Sequence, residues 1–202
     1  MRIPQRLMIA GILLAALTGC AAMEPESPQS ANEPAPPEEQ DLPQVELSAG
    51  LFYKLMVAEF AVQQGQPRLA AEAYLSGAQE TGDPRLARRA TQAAVYARDS
   101  ATAITAAQLW VELQPENLDA HQSLAALLIR SGQSDRALPH LEKILALSPQ
   151  GEPEHGYQLV ANLLATAEEP QQALRYMEQL IAAHPDEPEA LYAHAQLANE
   201  VG

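Results

Sequence analysis

Residues that could carry chemistry are few in this chain, and their spacing indicates no catalysis. The five histidines (His121, His140, His155, His184 and His194) include no pair with the HExxH or i, i+4 spacing of helical metal ligands. The chain has no GxGxxG, GxxxxGKS/T or GxSxG motif, and no pattern indicates a nucleophile beside a base. We therefore expect a protein without catalytic residues, without a metal or another cofactor, and without enzymatic activity.

The single cysteine, Cys20, is the last residue of an N-terminal sequence pattern. Two arginines precede an uncharged apolar run at residues 7–17, whose 11 residues are too few for a helix across a bilayer, which needs about 20. The run has the length of the apolar part of a signal peptide and ends in Leu17-Thr18-Gly19-Cys20. This ending resembles the lipobox of bacterial lipoproteins, which implies a signal peptide at residues 1–19 and a lipid on Cys20. The alternatives are a chance LTGC in an ordinary signal peptide and a buried free cysteine.

The same resemblance bears on location. Ala21 is not the Asp that retains lipoproteins in the inner membrane, so the resemblance implies a lipid-anchored protein on the periplasmic face of the outer membrane. Residues 20–46 are then a lipidated tether, because positions 21–46 hold six prolines, seven acidic residues and no basic ones. Such a segment cannot bury enough apolar surface to fold, and its like charges extend it. The alternative is a proline-rich docking motif for a partner.

Composition restricts the remaining fold and function classes. A net charge of −14 with a pI near 4.6 argues against binding to nucleic acids or to anionic lipid headgroups. The 202 residues include 38 alanines but only 9 aromatic residues, which disfavours a β-sandwich or barrel and suits helices that pack through small side chains. One cysteine excludes an internal disulfide and a cysteine-based zinc site. We expect an all-α protein.

Helical periodicity begins at Leu47, and the chain then repeats itself about every 34 residues. An alanine of the second helix recurs at spacings of 33, 34 and 36 residues. Each unit has a small residue at its eighth position, with one threonine as the exception, and most have a bulky residue four positions after the second-helix alanine. These positions are the alanines Ala70, Ala103, Ala137 and Ala173, the closing prolines Pro115, Pro149 and Pro185, the eighth residues Ala58, Thr91, Ala125 and Ala161, and the bulky residues Tyr74, Leu141 and Met177.

This period and these positions resemble the tetratricopeptide repeat (TPR). The resemblance implies an all-α, TPR-type α-solenoid over residues 47–202, a right-handed superhelix of antiparallel helix pairs. The units are 51–83, 84–117, 118–153 and 154–187, followed by a half repeat at 188–202. The half repeat is either the solvating cap of the array or the start of further repeats. The second unit departs from the pattern, because Arg98-Asp99 replaces the turn glycine and Trp110 occupies a usually small position, where we expect it to fill the core.

First helices line the concave face of such an array, so we expect partners to bind there. Glutamine and asparagine amides pair with the backbone of an extended peptide, and arginine holds a carboxylate through two hydrogen bonds. The candidate partner-binding residues are Arg85, Arg88, Arg89, Gln92 and Tyr96 from the second unit, Gln122 and Arg130 from the third, and Gln158 and Asn162 from the fourth. The same projection puts Asp119, Ala126, Ile129, His155 and Thr166 on or near this face. The alternative for the arginine cluster is a solvated turn that pairs with acids such as Glu80 and Asp83.

An apolar stripe lies on the first helix of the array, where no preceding repeat covers it: Phe52, Leu55, Met56 and Phe60. We expect the stripe to pack as core against the second helix of the same unit. The alternative is that part of it is a surface for a partner or for self-association.

Anchor, tether and array together resemble bacterial TPR lipoproteins of the outer membrane. The stretch from Leu51 to Asp99 looks most like the front of a proteobacterial group. One member of that group binds and activates a periplasmic carboxyl-terminal processing protease and delivers cell-wall hydrolases to it. The resemblance implies a non-catalytic adaptor for periplasmic or outer-membrane proteins, among them such a serine protease. The alternative is an assembly factor for an outer-membrane machine, such as a pilus secretin or the β-barrel insertion machinery. Only Cys20 carries over from the family residue by residue.

Overall fold

The computed structural model describes residues 45–148, 153–183 and 187–201. Cys20, the signal peptide and the tether up to residue 44 lie outside these residues, as do Pro149, His184 and Pro185. Within them the chain forms nine helices and no strand. The helices are α1 (Ala49–Gln63), α2 (Pro67–Thr81), α3 (Pro84–Tyr96), α4 (Ser100–Leu113), α5 (Leu118–Arg130), α6 (Ser134–Leu147), α7 (Pro153–Leu164), α8 (Pro170–Ala183) and α9 (Pro188–Val201).

Each helix packs against the next one along the chain, and α7 also contacts α5 and α9. The helices are 12 to 15 residues long, and the short connections between consecutive helices produce this stack of helix pairs. The predicted fold class is confirmed: the described part is an all-α solenoid of paired helices. Because each pair contacts mainly its neighbours, stability is distributed along the stack rather than around one centre.

Helix starts are fixed by local sequence signals. Four helices begin after a polar residue whose side chain accepts a hydrogen bond from a backbone N–H group of the first turn, a cap that contributes about 1 kcal/mol. These caps are Ser48 to Leu51 (3.0 Å), Asp83 to Arg85 (2.9 Å), Asp99 to Thr102 (3.2 Å) and Asn117 to Ala120 (3.0 Å). Proline occupies the first position of α2 and α3, where its missing N–H group costs nothing.

Small residues lie where the helices approach most closely, as the repeat predicts. The second-helix alanines Ala70, Ala103, Ala137 and Ala173 are fully buried, and so are Ala58 and Ala125 at the eighth position. Thr91, the exception at that position, is also buried and satisfies its hydroxyl by donating to the Ala87 carbonyl at 2.9 Å. Trp110 is buried as expected, and its indole N–H donates to Gln114 Oε1 at 3.0 Å.

The core differs between the two ends of the stack. One continuous cluster of large aliphatic and aromatic side chains runs from Ile104 on α4 to Leu197 on α9. Between α1 and α4 the clusters are small and consist mostly of alanine, with Tyr74 and Trp110 as the bulky members. Helices in this first part are therefore held by close approach through small side chains, which leaves little room for aromatic rings between them.

This packing contradicts the prediction for the apolar stripe on the first helix. Phe52, Met56 and Phe60 are more than half exposed, and Leu55 is only partly buried. The buried residues of α1 are instead Leu51, Ala58 and Ala61. Ala58 and Ala61 pack with Ala70 and Tyr74 of α2, and the two phenylalanines lie on the other side of α1.

The turn between α3 and α4 contains a strained residue. Arg98 has a left-handed backbone conformation with φ of 56°, and glycines occupy the corresponding turns after α1 and α5, with φ of 67° at Gly65 and 70° at Gly132. A residue with a Cβ atom is strained in this conformation by about 1–2 kcal/mol. The sequence departure at Arg98 therefore keeps the turn geometry and costs stability.

Replacing Arg98 with glycine is expected to raise the free energy of unfolding by about 0.5–1 kcal/mol, since the relief of strain exceeds the extra entropy of glycine in the unfolded chain. The Arg98 side chain makes no hydrogen bond or ion pair with a described residue, so the change removes none. Urea unfolding followed by circular dichroism measures the effect. Arg136→Gly, inside α6, is the matched control and is expected to lower stability. A lower midpoint for Arg98→Gly would contradict the strain.

Candidate functional site

A cleft opens between the first helices of the first two units. It has a volume of about 330 Å³, and we name it the α1–α3 cleft. Its walls carry one acid, one guanidinium, one amide and several apolar groups, from Glu59, Val62, Gly65, Pro67, Tyr74, Arg89, Gln92, Ala93 and Tyr96. Tyr96 is 80% exposed at its rim. The structure therefore brings three of the predicted binding residues, Arg89, Gln92 and Tyr96, into one cleft.

A polar cluster forms one wall of the α1–α3 cleft. Tyr74 donates its hydroxyl to Glu59 Oε1 at 2.9 Å, and Arg89 Nη1 donates to the Tyr74 hydroxyl at 3.1 Å and to Glu59. Arg89 also lies over the Tyr74 ring, 5.4 Å from its centre. Burial raises the pKa of Tyr74, and its hydrogen bond to Glu59 raises that pKa further, so the hydroxyl remains a donor at neutral pH. The cluster ties α1, α2 and α3 together and fixes Arg89 in place.

Glu59 was not among the residues selected from the sequence. It occupies the ninth position of the first unit, the position that Gln92 occupies in the second. The in-register alignment contains this signal, because equivalent positions lie on the same face of the array. Glu80, suggested above as an acid for the arginine cluster, pairs instead with Lys54 at 2.6 Å.

A second cleft, of about 470 Å³, lies at the start of α3, and we name it the arginine cleft. Leucines from α1 and α3 form its apolar walls, and all three arginines of the predicted cluster reach it. The lining residues are Val45, Leu51, Leu55, Thr81, Asp83, Arg85, Leu86, Arg88 and Arg89. The two clefts share Arg89.

The three arginines differ in what they bind. Arg85 donates to both carboxylate oxygens of Asp83, with Nε 3.0 Å from Oδ1 and Nη2 2.6 Å from Oδ2. Burial of Asp83 opposes ionisation, but the hydrogen bonds from Arg85 outweigh it and lower the pKa of Asp83. Arg89 is held by Glu59 and Tyr74. Arg88 is exposed and has no hydrogen bond or ion pair with any described residue. The alternative prediction, that the arginines pair with acids of a solvated turn, thus holds for Arg85 but does not explain Arg88.

The other candidate residues lie elsewhere. Arg130 lines a third cleft of about 370 Å³ with Arg98 and Asp99, at the turns of the second and third units. Gln158 donates to Asn162 at 3.1 Å along α7, so these two amides partly satisfy each other. Gln122 is partly buried. None of these three amides lines the clefts described above.

One residue projected onto the concave face is buried. Ile129 is 1% exposed and belongs to the large core cluster, so its expected place near a partner is wrong. Ile129 shares one apolar cluster with Leu124 and Leu128, so the buried side of α5 is wide enough to include it.

The structure also joins two histidines whose sequence spacing gave no signal. His121 Nδ1 on α5 lies 3.1 Å from His140 Nδ1 on α6, and His121 Nε2 lies 3.0 Å from the Pro115 carbonyl oxygen. Two neutral rings fit this arrangement: His121 donates to Pro115, and His140 donates to His121. Among the residues described, no group of three or more His, Cys, Asp or Glu is arranged to hold a metal ion.

The free energy of unfolding is expected to fall as pH decreases because of the pair His121 and His140. Burial lowers the pKa of His140, and the nearby charges of His121 and Arg136 lower it further. The unfolded chain, with a histidine pKa near about 6.5, then takes up more protons, so the contribution is complete above that pH and is lost as pH falls below it. Urea unfolding between about pH 5.5 and 8 measures this loss. We expect it to be smaller in His140→Gln, which keeps an N–H donor, than in the wild-type chain. A pH dependence of His140→Gln equal to that of the wild type would contradict the assignment.

Comparisons with known proteins support the repeat assignment. Residues 154–197 match a family model described as a tetratricopeptide repeat. The TPR repeat-containing protein PA4667 of Pseudomonas aeruginosa is 26% identical over 151 residues, which cover 75% of this chain and 25% of that protein. The chain therefore spans about a quarter of the length of this relative.

Two solved structures are also similar to this chain. MamA from Desulfovibrio magneticus RS-1 is 19% identical, with 77% of this chain and 93% of that chain covered and a TM-score of 0.47. YrrB, described as a TPR protein with an unusual peptide-binding site, is 19% identical, with 71% and 73% covered and a TM-score of 0.47. From its helix pairs, its matched repeat and its bacterial relative, the chain has a tetratricopeptide-repeat fold. Within the described residues, no helix combines the length and the apolar character needed to cross a membrane.

Proposed function

We propose that this chain is a non-catalytic scaffold that binds an extended segment of a partner protein in the arginine cleft and the α1–α3 cleft. The observation that carries the proposal is Arg88. Its guanidinium is exposed, has no partner among the described residues, and lies in a cleft whose other walls include Leu51, Leu55 and Leu86. A cation beside apolar walls suits a segment with an acidic side chain next to an apolar one.

Charge supports this choice of partner. Helix α3 contains three arginines and no acidic residue, although the whole chain carries a net charge of −14. Acidic side chains of the chain already hold Arg85 and Arg89. Arg88 therefore keeps its hydrogen-bonding capacity for a carboxylate of the partner, which a guanidinium binds through two parallel N–H groups.

The α1–α3 cleft extends the same surface toward the end of α3. Gln92 has an amide that can pair with a partner's peptide groups, and Val62 and Tyr96 offer apolar area that is more than half exposed for each. Volumes of about 330 and 470 Å³ lie within the range of about 300–1,000 Å³ in which proteins bind small molecules and side chains. The shared residue Arg89 makes the two clefts adjacent, so one extended segment can occupy both.

Location and partner identity form the finer part of the proposal. The lipobox resemblance at Cys20 supports anchoring in the outer membrane, and the acidic tether would set the reach of the array into the periplasm. Anchoring raises the effective concentration of the scaffold near envelope proteins, so even a weak site can recruit them. The resemblance of the first two units to protease adaptors supports a C-terminal processing protease and its cell-wall hydrolase substrates as the partners.

Affinity purification of the lipidated chain from its own envelope in mild detergent tests this identity. Mass spectrometry of the eluate should detect a periplasmic serine protease or a cell-wall hydrolase, and both should decrease for Arg88→Glu. Arg175→Glu, an exposed arginine on α8, is the matched control and should leave recovery unchanged. A secretin or a barrel-assembly component in place of the protease would favour the assembly-factor alternative.

The anchor has its own test within the same experiment. Cys20→Ala should release the chain from the membrane fraction and reduce recovery of the partner. If Cys20→Ala leaves the chain in the membrane fraction, the lipid anchor is contradicted, while the cleft proposal is still decided by Arg88→Glu.

A further inference from the structure

The outer side of α1 carries an apolar surface without a partner in the described part of the chain. Four large side chains on it, Phe52, Tyr53, Met56 and Phe60, are 52–69% exposed. Phe52, Met56 and Phe60 are spaced four residues apart, which aligns them along one side of the helix, and Tyr53 lies beside them. We name this surface the α1 stripe. It faces away from the buried residues Leu51, Ala58 and Ala61.

The stripe carries no charge. Helix α1 has two charged residues, and both are paired within the chain, Lys54 with Glu80 at 2.6 Å and Glu59 with Arg89. A helix that is apolar on both sides is normally covered on both sides. The sequence immediately before the helix, residues 21–44, is acidic and proline-rich, with six prolines and six acidic residues.

We propose that the α1 stripe is a homodimer interface, in which α1 packs against α1 of a second copy of this chain around a two-fold axis. Charge favours this occupant. Residues 45–111 contain six acidic and six basic residues, so two copies can meet there without net repulsion. The charge of the structured repeats is concentrated at the other end, where residues 112–202 contain 14 acidic and four basic residues. A two-fold arrangement through α1 keeps these acidic ends apart.

The available area is also sufficient. Aromatic side chains bury about 150–250 Å² each when they are covered. With more than half of each of the four side chains exposed, the stripe offers on the order of 450 Å² per copy. Two stripes with the rims around them reach roughly 1,200 Å², where specific interfaces begin. Met56 lies near the middle of the stripe, so a two-fold axis places it close to its own copy.

Sedimentation velocity of the chain without residues 1–19 and with Cys20→Ser tests the interface in the absence of detergent. The wild-type sequence should sediment as a dimer at micromolar concentration. Met56→Glu and Phe60→Glu should each raise the dimer dissociation constant at least about 100-fold, because they bring like charges together in an apolar contact. Tyr96→Glu is the matched control, since it makes the same kind of change at an exposed aromatic residue on α3. The side chains of Met56, Phe60 and Tyr96 are all more than half exposed, and circular dichroism checks that the three variants remain folded.

Cross-linking in the envelope tests the geometry on the full-length protein. Met56→Cys should form a covalent dimer under mild oxidation, whereas Val62→Cys, exposed on another side of α1, and the parent chain with Cys20 alone should not. Three results would overturn the proposal. In sedimentation velocity, these are a chain that remains monomeric at about 100 μM and assemblies that keep growing as concentration rises. In cross-linking, it is a Met56→Cys adduct that forms only with a different protein. Growing assemblies would indicate head-to-tail stacking, and the last result would indicate a foreign partner on the stripe.

Discussion

Leu128→Ala is expected to lower the free energy of unfolding by about 2–5 kcal/mol, the largest effect on stability that we predict. Leu128 on α5 is 1% exposed and belongs to the cluster that runs continuously from α4 to α9. Truncation removes buried methyl and methylene groups and leaves a cavity between helices that cannot fully collapse. Since that cluster connects four of the five units, the loss is transmitted to every helix pair from α4 onward.

Urea unfolding gives the total effect, and hydrogen exchange gives its location. Amides of α5 to α7 should lose protection first, while α1 and α2, which belong to separate alanine-rich clusters, should change less. Leu191→Ala is the matched control, because Leu191 is 59% exposed on α9 and its truncation should cost less than about 0.5 kcal/mol. Equal losses for the two leucine variants would contradict the continuous core.

Arg88→Glu is expected to weaken binding of the partner by at least about ten-fold, the largest effect on function. A hydrogen bond to a charged group contributes about 1.5–3 kcal/mol, which corresponds to roughly 10- to 150-fold in affinity. Reversal of the charge adds repulsion of the partner's carboxylate. Stability should change little, because Arg88 is exposed and has no described partner to lose.

Titration calorimetry with the purified partner measures the effect. Arg88→Lys should retain part of the affinity, since a lysine keeps the charge and loses the paired geometry of the guanidinium. Arg175→Glu should bind as the wild type does. An unchanged affinity for Arg88→Glu would contradict a role of Arg88 in binding and would favour the alternative that the arginine cluster is a solvated turn.

The repeat register made much of the fold accessible from the sequence. Alanine at the closest helix contacts is a local requirement, so Ala70, Ala103, Ala137 and Ala173 could be recognised by their spacing alone, and each is buried. The same alignment flagged Arg98 as the residue in place of a turn glycine, and the structure confirms that it takes the left-handed conformation. Such positions can be recognised in repeat proteins because equivalent residues of each unit meet the same structural requirement.

The stripe on α1 shows where this reasoning ends. Apolar periodicity indicates that the side chains of Phe52, Met56 and Phe60 share one side of the helix. It does not indicate what covers that side. The alanine-rich contact of α1 with α2 depends on how closely the two backbones approach, which no single-helix pattern specifies. The prediction of a core position was therefore wrong for these three residues.

Contacts between units account for the remaining differences in the candidate site. Glu59, Tyr74 and Arg89 come from three helices, and only the stacking of the first two units brings them into one hydrogen-bonded cluster. His121 and His140 meet within one unit, across the α5–α6 helix pair, and their sequence spacing likewise gave no signal of this contact. The sequence identified Arg85, Arg88 and Arg89 as a group, and the folded neighbours decide that Arg88 is the arginine available to a partner.

Photocross-linking from the α1–α3 cleft tests the central claim most directly. A photoreactive amino acid in place of Tyr96, in the full-length chain in its own envelope, should form an adduct with one partner protein, at a segment that contains an acidic and an apolar side chain. That adduct should disappear when Arg88→Glu is added, and the same probe in place of Arg175 should give none. Adducts of equal yield from both positions, or an adduct at Tyr96 that persists with Arg88→Glu, would contradict the account.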